Sequence, residues 1–399
     1  MISPQSQSTP DELGRLGLAC LERYETDGDG TALALGLARL EAAVAAAPAH
    51  PERLRWWYGL GSAYESRAEE DGAVDDYDRA IAWYGRIHAE LDDGPDRAFV
   101  VLAMTGAQWN RYWLVRYGEH VAPVEVRQPG ALVAELLAAI GRWPLTIEDA
   151  EAVAYVEMIR GLAYHERYGT GPDPADLDRA IQLLARAIPV LPDDTPWLAV
   201  AAFTLATGYW DRYLADDDDH ALDLAIESAA RVLDLADEKH PTWLSVHEHR
   251  AVCLTERWHR AGLRADLEAA IASVRLVLGD DEDGWMSALG GQLLRERAEL
   301  DRDPTELTEA VRLLEGSLAG HREPTTAAER WLELGRAHRA RWVLGHADGS
   351  LEAAQRCAGT VLSLGLPDDE PVVDAALAEL TELARLAELA TTAVRDRRS

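Results

Sequence analysis

The sequence has very little phenylalanine and few cysteines for a chain of 399 residues. Phe99 and Phe203 are the only phenylalanines, whereas Ala, Leu and Trp recur in short runs, a composition typical of close-packed helices. The three cysteines, Cys20, Cys253 and Cys357, are widely spaced among apolar neighbours, so we expect reduced core residues and no disulfide framework. The composition therefore favours an all-α protein.

Basic residues are also scarce, and no local basic stripe is present. Lys and Arg total 39 against 70 Asp and Glu, which gives a formal net charge of −31. A field of this sign repels nucleic-acid phosphate, so we expect no DNA or RNA partner. Basic proteins or cationic peptides fit such a chain as partners, although solubility alone also explains the acidity.

No segment is long and apolar enough to span a bilayer. The uncharged stretch from Trp197 to Trp210 is too short for a membrane helix. Residues 1–10 lack the basic and apolar regions of a signal peptide. We therefore expect a cytoplasmic protein with no membrane contact, a disordered N-terminus over 1–10 and a mobile tail over 395–399.

Short motifs of catalysis, metal binding and cofactor binding are absent too. No HExxH, paired CxxC, GxGxxG, P-loop or GxSxG pattern occurs. The acidic runs at 216–219 and 280–283 lack the alternating spacing of a calcium loop, and helix N-terminal charge explains them. We predict no catalytic residue, no metal and no cofactor, although catalytic residues of an enzyme can also converge only in space.

What the sequence does contain is a long internal repeat. An arginine, usually followed by an aromatic residue, recurs along the chain, and the copies at 167, 212 and 257 are each 45 residues apart. A second mark, such as Ala180-Ile181, follows each arginine after a Gly/Asp-rich break and keeps the same period. Apolar residues within a unit are spaced three and four apart, which indicates amphipathic helices. The repeated arginines are Arg23, Arg67, Arg111, Arg167, Arg212, Arg257, Arg297 and Arg341.

The predicted fold is a right-handed α-solenoid of about eight helix pairs with a C-terminal capping helix. Small residues such as Gly61, Gly161 and Gly335 would let the first helix of a pair approach its neighbours closely. Each pair has too little apolar area to be stable alone, so the pairs must stack into one array. The predicted units cover 11–51, 52–95, 96–146, 147–195, 196–241, 242–284, 285–324 and 325–369, and the capping helix covers 370–394.

These motifs resemble tetratricopeptide repeats (TPRs), whose first helix carries an aromatic, Leu-Gly and Tyr, and whose second carries Ala-Ile and a terminal Pro. The long period resembles, more narrowly, the arrays of actinobacterial proteins that often precede caspase-like CHAT protease domains. The resemblance implies a protein-interaction scaffold, and because this sequence contains no protease domain it implies no catalytic activity. The matching residues are Trp57, Leu60, Gly61, Tyr64, Ala80 and Ile81 in the second unit, and Gly161, Tyr164, Ala180, Ile181 and Pro192 in the fourth.

Two features of the array have both a functional and a structural interpretation. The third unit carries an insertion, Tyr117–Gly130, which is either a functional loop or a tolerated surface loop. The repeated arginines could hold a phosphate or carboxylate ligand. Alternatively, they cap the first helix and pair with acids that open the second helix, such as Asp178, Asp223 or Glu268. Their repetition in every unit favours the structural interpretation.

The resemblance also implies a binding groove, because the residue before each arginine faces the concave surface in tetratricopeptide helices. That residue is acidic in five of the eight units. Aromatic residues nearby would complete an acidic groove suited to a basic or amphipathic peptide, unless the rings are core and the acids merely solvated. The predicted binding residues are Tyr58, Trp109, Asn110, Tyr155, Met158, His165, Glu166, Phe203, Trp210, Asp211 and Glu256.

We therefore predict an interaction scaffold or adaptor that binds a peptide or protein segment on its concave face. The alternative is a small-molecule sensor or enzyme with a pocket lined by Trp109, Tyr155, His165 and Trp210, which a closed pocket with convergent polar groups would favour. A self-associating homo-oligomer is the third alternative.

Overall fold

The structure is a computed structural model that describes residues 8–118, 129–142, 149–281, 283–319 and 323–396. Within these residues all regular structure is helical, with seventeen α-helices and two short 3-10 turns. Most of the predicted disordered N-terminus and tail lies outside the described residues, and the helices begin at Pro10 and end at Asp396. The centre of the predicted insertion, 119–128, also lies outside them.

The α-helices, in chain order, are α1 (Pro10–Asp27), α2 (Gly30–Ala46), α3 (Arg53–Asp71), α4 (Val74–Glu90), α5 (Pro95–Tyr117), α6 (Pro129–Gly141), α7 (Ala150–Thr170), α8 (Pro174–Ala187), α9 (Leu198–Asp216), α10 (Asp219–Leu235), α11 (Trp243–Ala261), α12 (Arg264–Val277), α13 (Trp285–Asp301), α14 (Leu307–Ser317), α15 (Pro324–Gly345), α16 (Ser350–Ser363) and α17 (Pro371–Asp396). The two 3-10 turns are Leu278–Asp280 and Pro304–Glu306.

Consecutive helices pack as hairpins, and hairpins pack on their neighbours. The pairs α1/α2, α3/α4, α7/α8, α11/α12, α13/α14 and α15/α16 have the most extensive helix contacts. Second helices then contact the first helix of the following hairpin, as in α2/α3, α4/α5, α12/α13 and α14/α15. This stacking of paired helices confirms the predicted all-α solenoid class, since each pair buries its apolar face against the next. The chain divides into two compact units, residues 1–212 and 213–399.

Side-chain caps and glycines set the helix limits. Gly28, Gly72 and Gly262 adopt left-handed backbone angles directly after α1, α3 and α11, the conformation in which glycine ends a helix without a Cβ penalty. The acidic runs supply caps at the other ends. The carboxylate of Asp218 accepts a hydrogen bond from the backbone N–H of His220 at the start of α10, at 3.0 Å. Helix capping therefore explains the presence of an acid at this position.

Glycines let the two helices of a hairpin approach closely, as predicted. A Cβ added to Gly61 of α3 would lie 2.5 Å from the ring of Tyr84 in α4. One added to Gly161 of α7 would lie 2.7 Å from the Leu184 side chain in α8. Any larger residue at these positions would push the paired helices apart.

Of the three cysteines, which were predicted to lie in the core, Cys253 and Cys357 do so, whereas Cys20 is half-buried. Cys253 and Cys357 are buried, and burial raises the pKa of these thiols to about 12 and about 11. Both therefore behave as small apolar core residues. None of the described helices combines the length and the apolar composition needed to cross a bilayer.

Candidate functional site

Four of the repeated arginines hold their own hairpins closed. Arg67 donates from Nε and Nη2 to the carboxylate of Asp76, at 2.6 and 2.8 Å. Arg257 donates in the same bidentate way to Asp266, at 2.9 and 2.7 Å. The same pairs join Arg167 to Asp176 and Arg297 to Glu306, in each case nine residues along the chain. These bonds tie the end of the first helix to the start of the second, which supports the structural interpretation.

A second set of arginine contacts joins neighbouring hairpins. Asp78 accepts from Arg111 of the next hairpin at 2.7 Å, and Asp223 accepts from Arg257 at 2.8 Å. The acids that the sequence marked as partners within the hairpin therefore pair with the following arginine instead. The physical reason is that residues two apart on a helix point in different directions, so only the earlier acid faces its own first helix. The remaining pairs of this set are Asp178 with Arg212 and Glu268 with Arg297.

The aromatic residue after the arginine contacts the next hairpin as well. Tyr112 donates its hydroxyl to Glu166 at 2.9 Å, and Trp258 donates its indole N–H to Glu296 at 2.8 Å. Tyr213 donates to Glu256 in the same manner. Two of the acids predicted to face a partner, Glu166 and Glu256, are thus already engaged inside the array.

Trp109 and Met158 lie in the core, so the prediction that they line a groove is corrected. Their exposed fractions are 1% and 0%. Trp109 packs edge-on against Trp197, with ring centroids 5.8 Å apart, and also contacts Trp113. Their long apolar side chains fill the space between hairpins, which a sequence pattern alone does not distinguish from a concave surface.

Four more predicted residues, His165, Phe203, Trp210 and Asp211, are half-buried in the first unit. Nε2 of His165 lies 3.4 Å from Oγ1 of Thr207, and burial lowers the pKa of this imidazole. Burial raises the pKa of the Asp211 carboxyl. None of these four lines the cleft described next.

A cleft of about 840 Å³ opens in the first unit and is the candidate site. Helices α3, α4, α5 and α7 and the segment that leads into α9 form its walls. Three predicted residues, Tyr58, Asn110 and Tyr155, line it. Several further lining residues were not predicted, and these include Glu65, Glu69, Tyr84, Phe99, Trp113, Tyr117 and Trp197.

Aromatic rings cover much of the cleft wall. Tyr58 packs against Tyr84 and Phe99, with ring centroids 5.8 and 5.5 Å apart. Trp197 donates its indole N–H to Oδ1 of Asn110 at 3.0 Å, which joins the segment before α9 to α5. Phe99 is 56% exposed, so its ring is available to a ligand without any rearrangement.

Glu65 is the charged group at the centre of these rings. Its carboxylate accepts the hydroxyl of Tyr84. Burial, opposed by the hydrogen bond from Tyr84 and assisted by the charge of nearby Glu69, raises the pKa of Glu65 to about 7. Burial and then the charge of Glu65 raise the pKa of the Tyr58 and Tyr155 hydroxyls, and both tyrosines line the same cleft as this carboxylate.

The repeat itself contained a signal for Glu65. This residue stands two positions before Arg67, just as the predicted binding residues Trp109, His165 and Trp210 stand two positions before Arg111, Arg167 and Arg212. Glu65 is the one carboxylate at these four positions, so charge at this position of the repeat, rather than ring content, indicates it.

A smaller cleft of about 400 Å³ lies in the second unit between α13, α15 and the start of α17. Trp285, half exposed, stands at its edge. Glu333, which also lines this smaller cleft, pairs with Arg295 at 3.0 Å and also with Arg336. The charge of Glu333 is therefore balanced by these arginines. In neither unit do the described residues place three or more His, Cys, Asp or Glu side chains where they could hold a metal ion.

The chain matches no protein-family model and no curated protein. Solved structures with a similar arrangement include a tetratricopeptide repeat protein from Parabacteroides merdae ATCC 43184, 15% identical over 81% of this chain and 99% of that chain, with a TM-score of 0.36. The nuclear import adaptor Nro1 of S. pombe is 12% identical over 83% and 97%, with a TM-score of 0.39. The TPR domain of P58(IPK) is 15% identical over 94% and 99%, with a TM-score of 0.28. Because these identities and TM-scores are low, the fold assignment depends on the helix pairing described above.

Proposed function

We propose that the protein is an interaction scaffold and that the cleft of its first unit binds a segment of a partner protein. The observation that supports this proposal is the cleft itself, an open space of about 840 Å³ walled by aromatic rings. Exposed rings such as Phe99 supply contact area at low cost in conformational entropy, and aromatic anchors dominate peptide binding.

The rest of the array supports a binding role for this surface. The arginine and tyrosine contacts between hairpins fix the positions of α4, α5 and α7 through pairs such as Arg111 with Asp78 and Tyr112 with Glu166. A ligand that enters between these helices meets walls that are already ordered. Preorganisation of this kind reduces the entropy cost of binding.

A small organic molecule is the second candidate ligand. The cleft volume of about 840 Å³ lies within the range of about 300–1,000 Å³ that is common for small-molecule sites. Polar side chains among the apolar lining, such as Glu65 and Asn110, are also typical of such sites. The two candidates differ in whether the bound group belongs to a polypeptide.

Site-specific crosslinking tests the proposal. A photoreactive amino acid replaces Leu102, which lines the cleft, and a matched control replaces Ala82, which is exposed on α4 outside it. We expect the Leu102 position alone to crosslink one defined polypeptide segment. The corresponding synthetic peptide should bind the wild-type chain and lose at least about tenfold in affinity in Phe99→Ala.

The proposal would be wrong if both positions crosslink the same proteins, or if Phe99→Ala binds the peptide as tightly as the wild type. Native mass spectrometry of the purified chain tests the small-molecule candidate. A bound small molecule that is present in the wild type and lost in Phe99→Ala would replace the scaffold proposal by the small-molecule candidate.

A further inference from the structure

We infer that the cleft is a receptor for an organic cation, in which Glu65 pairs with the side chain of a lysine or arginine from the bound segment while Tyr58 and Tyr155 enclose it. This inference rests on the proposed function, because it names the chemistry of the group that the cleft receives. It also assigns a role to Glu65, which the sequence prediction did not include.

Among the residues that the structure describes, Glu65 has no cationic partner. Tyr84 donates to Oε2 of this carboxylate, and no donor among the described residues reaches Oε1. No described Lys or Arg forms an ion pair with it either, and none lines the cleft. A partly buried carboxylate without a counter-charge is costly, and a ligand cation would offset that cost.

Two similar tyrosine–glutamate pairs of the chain have a guanidinium over the tyrosine ring. Tyr213 donates to Glu256, and Arg260 lies over the Tyr213 ring at 5.0 Å while it pairs with Glu256 at 3.2 Å. Tyr64 donates to Glu41, and two arginines stack over the Tyr64 ring, at 5.0 and 5.4 Å. Among the described residues, no such arginine lies over the tyrosine ring of the pairs Tyr24–Glu70, Tyr112–Glu166 and Tyr84–Glu65. Of these three pairs, only Tyr84–Glu65 has both members in the lining of the cleft.

The aromatic lining of the cleft favours an organic cation. Ring faces attract alkylammonium and guanidinium groups through their quadrupole; Tyr58 packs on Tyr84, with ring centroids 5.8 Å apart, and Tyr155 lines the same cleft as Glu65. Glu69 and Asp149 also line the cleft and add negative potential, and no Lys or Arg is among the described residues that line it. A hard metal ion would instead require several converging oxygen ligands.

Three capped tripeptides test the inference on the full chain: Ac-Ala-Lys-Ala-NH2, Ac-Ala-Arg-Ala-NH2 and the neutral isostere Ac-Ala-Nle-Ala-NH2, where Nle is norleucine. Fluorescence of the cleft tryptophans reports their binding. We expect the cationic peptides to bind at least about tenfold more tightly than the norleucine peptide at low salt. Glu65→Gln should remove this preference and leave norleucine binding unchanged.

Glu41→Gln is the matched control, because it alters a tyrosine–glutamate pair outside the cleft and should retain the preference. Equal binding of charged and neutral peptides to the wild type, or a preference that survives Glu65→Gln, would overturn the inference. The proposed function would instead be overturned if the Leu102 position crosslinked no defined segment, or if Phe99→Ala bound the crosslinked peptide as tightly as the wild type. The two failures are therefore distinguishable.

Two further measurements complete the test. If Glu65→Gln does not fold, Phe99→Leu removes an exposed ring from the cleft and should lower the affinity for the cationic peptides more than for the norleucine peptide. Cadaverine, a free diamine, separates the sources of the cation. A preference of the wild type for cadaverine over both cationic peptides would overturn the assignment to a protein side chain.

Discussion

Asp176 accepts hydrogen bonds from both Nε and Nη2 of Arg167 across the turn between α7 and α8. Its exposed fraction is only 7%, whereas Asp178, two residues later, is largely exposed and pairs with Arg212 of the next hairpin. One short stretch of α8 thus closes its own hairpin with a buried carboxylate and joins the following hairpin with an exposed one.

This difference in burial predicts that removing the two carboxylates lowers the free energy of unfolding by different amounts. Asp176→Ala should lower the free energy of unfolding by about 1–3 kcal/mol, because it leaves a partly buried guanidinium without its bidentate partner. Asp178→Ala should cost less than about 1 kcal/mol, since solvent screens an exposed ion pair. Urea unfolding of the two variants measures both values.

Added salt provides the control for that comparison. The cost of Asp178→Ala should shrink further at 0.5 M NaCl, and the cost of Asp176→Ala should remain, because salt screens exposed charges more than buried ones. Equal costs for the two variants would show that the bidentate bond contributes no more than a surface pair.

Close approach of α3 and α4 gives a second prediction. Gly61→Ala should destabilise the protein by about 1–3 kcal/mol, because the new Cβ would lie 2.5 Å from the ring of Tyr84. Gly85→Ala on α4 is the matched control, since its Cβ would meet nothing within 4 Å and alanine favours a helix by about 0.5–1 kcal/mol. Thermal melting of the two variants should therefore shift in opposite directions. A downward shift in both would show that helix spacing is not the cause.

The sequence predicted the fold well because the repeat has physical causes that are local. Glycine at 61 and 161, the arginine register and the apolar spacing each constrain one hairpin, and identical constraints recur along the chain. Partner choice between hairpins was not predictable in the same way. Asp176 and Asp178 look equivalent in sequence, and only their helical directions decide which arginine each one meets.

The candidate site was predictable only in part for a related reason. Tyr58, Asn110 and Tyr155 do line the cleft, whereas Trp109 and Met158 are core. Concave surface and interior alternate within one turn of a helix, so a shift of one residue separates a ligand-facing ring from a buried one. Side-chain size does not resolve this, because large apolar residues suit both environments.

Acid titration of Glu296 gives a third prediction. Burial alone would raise the pKa of this carboxyl, but hydrogen bonds from His259, Gln292 and Trp258 and the charge of Arg295 hold it at about 2. A carboxyl with a lowered pKa stabilises the fold above its ordinary value of 4.5, and this contribution is lost as the pH falls from 4.5 to about 2.

Glu296→Gln should therefore lower the free energy of unfolding at pH 7, by on the order of 1–3 kcal/mol. The difference between wild type and variant should shrink as the pH approaches 3. Urea unfolding at pH 7, 5 and 3 measures it. A difference that stays constant with pH would show that the ionised carboxylate is not what these four neighbours stabilise.

The carboxyl of Glu65 predicts the opposite dependence in the free protein. Its pKa is raised from 4.5 to about 7, so between these values the folded chain keeps a proton that the unfolded chain releases. Folding stability from this group therefore falls as the pH rises from 4.5 to 7. The groups that face it are Tyr84, Glu69, Tyr58, Tyr77 and Tyr155, and none of them carries a positive charge that would reverse the sign.

Glu65→Gln should consequently gain stability relative to the wild type as the pH rises, by on the order of 1–3 kcal/mol at pH 8 compared with pH 4.5. Urea unfolding at the two pH values measures the change, and Phe99→Ala, which alters the same cleft without a titrating group, should show a difference that does not vary with pH. A bound cation favours the ionised carboxylate, so a saturating lysine tripeptide should stabilise the wild type at pH 8 more than at pH 5. Equal stabilisation at both values would mean that the ligand does not contact the charge of Glu65.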